Sequence, residues 1–316
     1  MAECNIQENG EHMSVGRLGQ ALAPEKVTAL VQAFLAGRNV LTARAYRQDL
    51  ETFASFLKLP HITEASRFLL SCFPGDANAL ALGYKTALVE QKLAAATINR
   101  RLAALRALVK LARTLGLVPW SLEIQNVKTE QNRDLRGPGR IALKRVLADL
   151  SARQNPKARR DLAILRLLHD LGLRRGEVVS LDLEHVDTET GTVSVLGKGR
   201  AARSSLTLPA ETKAALAAWI AARGSEAGAL FTNFDRAGKG SMLSGTSIYR
   251  LTKGQGLGRP HGIRHAAITE ALDLLHGDVR AVAKFSRHAD IRVVGLYDDN
   301  RQDMAGEVAK AVAANL

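Results

Sequence analysis

Cysteine is nearly missing from this chain. Cys4 and Cys72 are too few and too far apart for a disulfide framework or a cysteine-rich zinc site, so reduced thiols in a cytoplasm are expected. Aromatic residues make up only 4% of the sequence, which argues against a surface that stacks unpaired bases. No apolar run approaches the ~18 residues of a membrane span. The polar start MAECNIQENGEHMS lacks the apolar stretch of a secretion signal. Repeats at solenoid periods are missing as well. No set of Cys, His and carboxylates has metal-ligand spacing, so neither a metal nor another cofactor is expected.

Positive charge, by contrast, is abundant. The 316 residues hold 44 Lys plus Arg against 31 Asp plus Glu, a formal net charge of +13. Such an excess favours a polyanionic partner, because each phosphate the protein neutralises releases condensed counterions. Ribosome-associated and membrane-surface proteins are often equally basic, so charge alone does not choose among them. With few aromatics, duplex DNA gripped through its backbone fits best. At 46% hydrophobic residues, the chain can build one large core or two ordinary ones.

Residues 1–22 show no periodicity and read as a flexible leader. Helical spacing starts at Ala23, with Val27, Leu30, Val31, Phe34 and Leu35 on one face and Gly37 as a stop. A second helix runs from Thr42 with Tyr46, Leu50, Phe53 and Leu57, and 63–92 holds one or two shorter ones. From Ala94 to Leu115 an apolar stripe of Ile98, Leu102, Leu105 and Val109 faces away from Asn99, Arg106, Lys110 and Arg113. Those charges are all positive and lack an acidic partner four residues away. Together with Arg100 and Arg101 they are candidates for tracking DNA phosphates.

The domain expected over 23–117 is thus helical. Residues 118–140, with Pro119, Gly137, Pro138 and Gly139 among polar residues, read as a linker, and 141–316 as a second domain. There a buried helix is expected from Leu162 to Leu171, and a β-hairpin over 191–208 from the alternation of Val193, Val195, Leu206 and Leu208. Further helices follow near 210–223, 244–252, 262–275 and 279–287. A small amphipathic helix with Met304, Val308 and Val312 closes the chain.

Six residues of this second half suit phosphate chemistry. Arg174 lies in G-L-R-R-G-E, Lys198 in G-K-G, and His261 and Arg264 in H-G-I-R-H; His288 lies in R-H-A-D-I and Tyr297 in L-Y-D-D. Arginine donates two parallel hydrogen bonds to phosphate and stays charged. His261 and Arg264 stand three apart, so one helical turn points both the same way. A phenol is a poor nucleophile at a pKa of ~10 and needs a base or a cationic cage. Taken singly, Arg174 would pass for a surface arginine, Lys198 for turn decoration, and Tyr46, Tyr84 and Tyr249 for core packing. His265 reads as a structural or capping histidine.

The order of the six, their contexts and the nine residues from His288 to Tyr297 resemble the tyrosine recombinase (phage integrase) family. The chain departs from the family pattern at Ile263, where leucine is usual. It departs again at Ser286-Arg287-His288, where L-G-H is usual and a bulky arginine takes a small residue's place. The A-Y-R-Q-D-L-x-x-F segment at 45–53 and T-I-N-R-R-L-A-A-L-R at 97–106 resemble the family's DNA-clamping helical domain more loosely.

The resemblance implies a mainly α fold with a small β-sheet, a helical core-binding domain and a catalytic domain forming a C-shaped clamp on double-stranded DNA. It implies attack by Tyr297 on the scissile phosphate to give a 3′-phosphotyrosyl link, with Arg174, Arg264 and His288 holding the phosphate. Lys198 would protonate the leaving oxygen, His261 would handle the tyrosine proton, and Glu177 would support Arg174. Neither ATP nor metal would be needed. Four copies on two sites would exchange strands through a Holliday junction. The leader is too short for an arm-binding domain, which leaves a Xer-like protein or a transposon or plasmid integrase. A type IB topoisomerase-like nicking-closing enzyme and a catalytically silent DNA-binding architectural protein stay open as alternatives.

Overall fold

The computed structural model describes residues 3–8, 11–17, 22–128, 137–197, 200, 202–234, 238–295, 297 and 304–314. The chain divides into two compact units, Met1–Asn132 and Arg133–Leu316.

The first unit corrects the reading of the leader. Glu3–Glu8 (β1) and Glu11–Arg17 (β2) pair antiparallel, with Cys4 opposite Val15 and Ile6 opposite Met13. The missed signal is local: alternating apolar residues flank an Asn9-Gly10 dipeptide, the pair that most favours a two-residue hairpin. Five helices follow: Pro24–Ala36 (α1), Val40–Phe56 (α2), Ile62–Ser71 (α3), Pro74–Glu90 (α4) and Ala95–Thr114 (α5). The stretch expected to hold short helices therefore contains a long one, α4, launched by Pro74 at its first turn. Leu30, Phe34, Leu50, Phe53, Tyr84, Leu102 and Leu105 bury their side chains together in the core of this unit. Phe53 meets Tyr84 edge-on with ring centroids 5.1 Å apart.

The expected linker is shorter than its composition suggests. Val118, Leu122 and Ile124 are buried in the first core. Asn99 on α5 clamps the strap by both its amide groups, donating to Val127 O at 2.9 Å and accepting from Val127 N at 2.8 Å. Residues 117–128 are thus irregular in backbone but packed, because three apolar side chains spaced along a non-periodic segment still find a helix face. The remainder of the expected linker, 129–136, lies outside the described residues.

The second unit opens with Arg140–Ala152 (α6) and Pro156–Asp170 (α7). Helix α7 begins six residues earlier than Leu162, since Asn155 caps it by accepting from Ala158 N at 2.9 Å and Pro156 takes the first position. Its early turns hide a buried ion pair, Arg160 Nη2 to Asp161 Oδ1 at 2.7 Å, that interrupts the apolar pattern. After Arg175–Val179 (α8) come Val186–Asp187 (β3), Thr192–Leu196 (β4) and Arg203–Thr207 (β5) in one antiparallel sheet. The expected hairpin is β4–β5. Its inward Val193 and Val195 join Ile164, Leu168, Leu216 and Trp219 in the second core.

Helices Ala210–Arg223 (α9), Gly245–Gly254 (α10), Pro260–Leu274 (α11), Val279–Ser286 (α12), Arg292–Gly295 (α13) and Met304–Ala314 (α14) complete the chain. Buried Trp219 on α9 donates to Leu230 O at 2.9 Å, tying the irregular segment after α9 to the core. The fold is therefore mainly helical with a small sheet, and among the described residues no helix is long and apolar enough to cross a membrane.

Candidate active site

Helix α7 stops at Gly172, whose φ of +54° is a left-handed conformation that favours glycine; a Cβ there would lie in van der Waals contact with the Phe285 ring at 3.4 Å. The turn delivers Arg174 to the N-cap of α8, with Glu177 one turn further on. Buried Glu177 accepts from Arg174 Nη1 at 2.8 Å on one oxygen and from Arg174 N at 2.8 Å on the other. Burial alone would raise the Glu177 pKa, but these bonds and the charges of Arg287 and Arg174 hold it below the ordinary value. Its carboxylate is therefore fixed as an anion, and half-buried Arg174 is held by it from below.

Arg264 and His261 come from the first turns of α11, which starts on Pro260. Arg264 is 1% exposed. It donates from Nη1 to Gly172 O and from Nη2 to Ser286 O at 2.5 Å, bridging the ends of α7 and α12. Arg174, His261 and Arg264 share a groove of about 590 Å³ with Leu173, Arg175 and Tyr249. Tyr249 thus borders the cationic groove, whereas its helical spacing had suggested simple core packing.

Helix α12 ends at Ser286, and His288 follows two residues later. His288 Nδ1 lies 2.8 Å from Ser286 Oγ, and Nε2 lies 3.3 Å from Arg264 Nη2. An arginine has only donors, so Nε2 is the acceptor and Nδ1 carries the proton toward the serine. The ring stacks on Tyr297 with centroids 5.5 Å apart. The Tyr297 ring also meets buried His265, with centroids 4.8 Å apart. Tyr297 is 7% exposed and packs with Ile268, Leu272, Val282 and Val294, while its carbonyl accepts from Thr269 Oγ1 at 3.2 Å. His265 is thus a ring neighbour of the tyrosine, a role its position beside the H-x-x-R turn could have signalled.

Positive charge dominates this cluster. Burial, then the charges of Arg174 and Arg287, push Arg264 down to about 10, where it still stays protonated at neutral pH. Desolvation followed by Arg264, Arg174, Arg287 and His261 pushes His288 down to about 4. His261 is lowered too, by desolvation first and then Arg264, His265 and Arg174. Both histidines are neutral near pH 7, held so first by burial and then by the surrounding guanidinium groups.

Sequence reasoning missed Arg287. At φ +56° it occupies the left-handed region where the departure from L-G-H lies, and its side chain turns inward to Glu177 Oε2 at 3.0 Å. Lys198, between β4 and β5 in sequence, lies outside the described residues. Among the described residues Asp182, Glu184 and His185 bring ligand atoms within 4.8 Å of one another, a grouping the spacing had not suggested. His185 Nδ1 there already accepts from Asp182 N at 2.8 Å.

On α5, the five candidate phosphate contacts separate. Arg100 Nη1 bonds Asp49 Oδ2 on α2 at 2.9 Å, and Arg101 Nε lies 4.0 Å from the other oxygen. Arg106 donates to Ile124 O at 2.6 Å and Asn126 Oδ1 at 2.7 Å. An acidic partner was absent along the helix but present on its neighbour. Lys110 and Arg113 are exposed.

Residues 142–304 match the model of the phage integrase family. Over 308 residues the chain is 37% identical to a tyrosine recombinase of Synechococcus elongatus, covering 93% of this chain and 96% of the relative. A tyrosine recombinase of Synechocystis sp. is 35% identical over 87% of this chain and 91% of its own length. In fold, the chain is similar to the XerH site-specific recombinase bound to a palindromic difH substrate, with a TM-score of 0.60 at 17% identity, covering 93% and 99% of the two chains. A lambda integrase dimer bound to a core site gives 0.61 at 14% identity, over 87% and 77%.

Proposed function

The chain belongs to the phage integrase family and is a tyrosine-type site-specific recombinase, and from that premise we propose how its own residues cut and rejoin DNA. Tyr297 is the nucleophile. Its phenolic oxygen attacks the scissile phosphorus while the bond to the 5′ oxygen breaks, leaving a 3′-phosphotyrosyl link and a free 5′-hydroxyl. The tyrosine proton passes to His261, and Lys198 supplies the proton that the leaving oxygen takes up. The energy of the broken ester is kept in the new one, so the reverse attack by a 5′-hydroxyl reseals the strand.

The observation that carries this reading is the convergence of Arg174, Arg264, His261 and His288 around the Tyr297 segment, with Glu177 as the buried anion that orients Arg174. Desolvation first, and then the fixed positive charge of the cage, depresses both histidines. A phosphodiester bound there adds negative charge, which the pentacoordinate transition state increases. That charge offsets the coulombic part of the depression and so raises the basicity of the histidines at the moment protons must move. The same electrostatics favours phosphate over neutral substrates.

The duplex is proposed to be gripped by both units as a clamp, with Lys110 and Arg113 contacting phosphates and Arg100, Arg101 and Arg106 mainly bracing α5. Four copies on two recombination sites would exchange strands pairwise through a Holliday junction, in the cytoplasm.

A nicked suicide substrate tests the chemistry. The parent protein is expected to form a covalent adduct stable to denaturing electrophoresis, and Tyr297→Phe to bind DNA without forming one. An adduct persisting in that variant would move the nucleophile elsewhere. No adduct in the parent would leave a DNA-binding protein, and nicking without exchange between two sites would leave a topoisomerase-like enzyme.

A further inference from the structure

Arg287 is set in the fold at a cost that its visible contacts must offset. It closes α12 with φ +56° and ψ 37°, a left-handed conformation that a side chain with a Cβ rarely adopts. Its guanidinium is almost fully buried, with Nε lacking any hydrogen-bond partner. Strained backbone and a buried charge at one residue persist only where the surroundings over-determine them.

Those surroundings are the parts of the reaction cage. Arg287 Nη2 donates to Glu177 Oε2 at 3.0 Å and to Gly172 O at 3.3 Å, and Nη1 donates to Leu171 O at 3.1 Å. Glu177 Oε2 is the same oxygen that accepts from Arg174 N, and its partner oxygen accepts from Arg174 Nη1. Gly172 O is the same carbonyl that accepts from Arg264. One guanidinium therefore touches the carboxylate that orients Arg174 and the carbonyl that orients Arg264. Its backbone leads directly into His288, whose N–H returns to Ala283 O at 3.2 Å.

We propose that Arg287 is a positioning residue for strand cleavage: it locks the turn bearing His288 to the turn bearing Arg174, so that both reach the scissile phosphate together. This rests on the function proposed above. It acts through Glu177 rather than on the phosphate, because its donors point to Glu177 and to the carbonyls of Leu171, Gly172 and Phe285. A glycine would suit the left-handed backbone better, and the arginine is there for its side chain.

The test compares Arg287→Gly and Arg287→Lys in the full chain. It measures single-turnover cleavage of a nicked substrate, DNA affinity by titration, and folding by circular dichroism. For Arg287→Gly, the expected result is a cleavage rate at least tenfold lower with affinity within about threefold of the parent. Arg287→Lys keeps one donor for Glu177 but cannot span the carbonyls of Leu171, Gly172 and Phe285, so it should recover part of the rate. Adding Arg174→Lys to Arg287→Gly should cost less than its effect in the parent, since both changes loosen the same Glu177-centred unit.

Cleavage by Arg287→Gly within twofold of the parent overturns the inference, as does a rate loss matched by an equal loss of affinity. If Arg287→Gly does not fold, Arg287→Lys decides alone: parental cleavage refutes the positioning role, and a rate loss at unchanged affinity supports it. Absence of an adduct with the parent protein would instead defeat the proposed function, so the two failures are distinct.

Discussion

Arg174 and Arg264 are the same residue type in different mechanical situations. Arg174 is half-buried and leans on one carboxylate, whereas Arg264 is fully buried and satisfies two main-chain carbonyls. Arg174→Lys should keep the fold and lower cleavage about 10²–10³-fold, the usual loss for one donor to a developing oxyanion. Arg264→Lys should lower cleavage similarly and also destabilise the protein by about 1–3 kcal/mol, because a buried carbonyl loses its partner. Rates on a nicked substrate together with denaturant unfolding separate the two; equal stability losses would contradict the division.

His288 gives a prediction with a sign. It titrates at 6.5 when unperturbed and only at about 4 in the fold, so between those values the unfolded chain binds a proton that the native state refuses. Its contribution to stability is complete above about pH 6.5 and declines as the pH falls toward 4. Thermal unfolding midpoints across that window should drop less steeply for His288→Asn than for the parent. A parallel pair of curves would show that the ring is not held neutral.

At the scale of elements, the site is assembled from helix ends: the stop of α7, the N-cap of α8, the first turns of α11 and the exit of α12. Close backbone packing keeps them in register. A Cβ at Gly137 would collide with Gly262 O and lie 2.6 Å from Ala266 Cβ, both on α11, whereas nothing lies within 4 Å of one at Gly139. Gly137→Ala should therefore push α11 outward, destabilise the chain by about 1–3 kcal/mol and reduce cleavage through His261 and Arg264. Gly139→Ala is the control and should change little. Urea unfolding of both variants checks this, and indistinguishable midpoints would remove Gly137 as a packing constraint.

Helix α14 follows the tyrosine segment, and its described residues Ala309, Lys310, Val312, Ala313 and Ala314 are exposed, Val312 to 61%. Eleven residues of helix are marginal alone in water, so an exposed apolar face suits docking onto a second copy, a head-to-tail contact that can close a ring. Deleting 302–316 should preserve binding to one site but weaken cooperative binding and recombination between two. Gel-shift titrations on one-site and two-site DNA measure this, and undiminished cooperativity would place the tail on its own unit.

Much of this was legible in one dimension because it is local. Apolar periodicity gave the faces of α1, α2 and α5, alternation gave the β4–β5 hairpin, and three-residue spacing put His261 and Arg264 on one turn. The order and contexts of six residues pointed to the family. Tertiary structure decided what depends on neighbours far along the chain. Asp49 turned two α5 arginines into braces, and Asn99 drew an irregular strap into a core. Glu177 received a second arginine 110 residues away, and His265 came to rest on the Tyr297 ring. Periodicity reports which face of an element is buried; which charge meets which is settled only when helix ends converge in space.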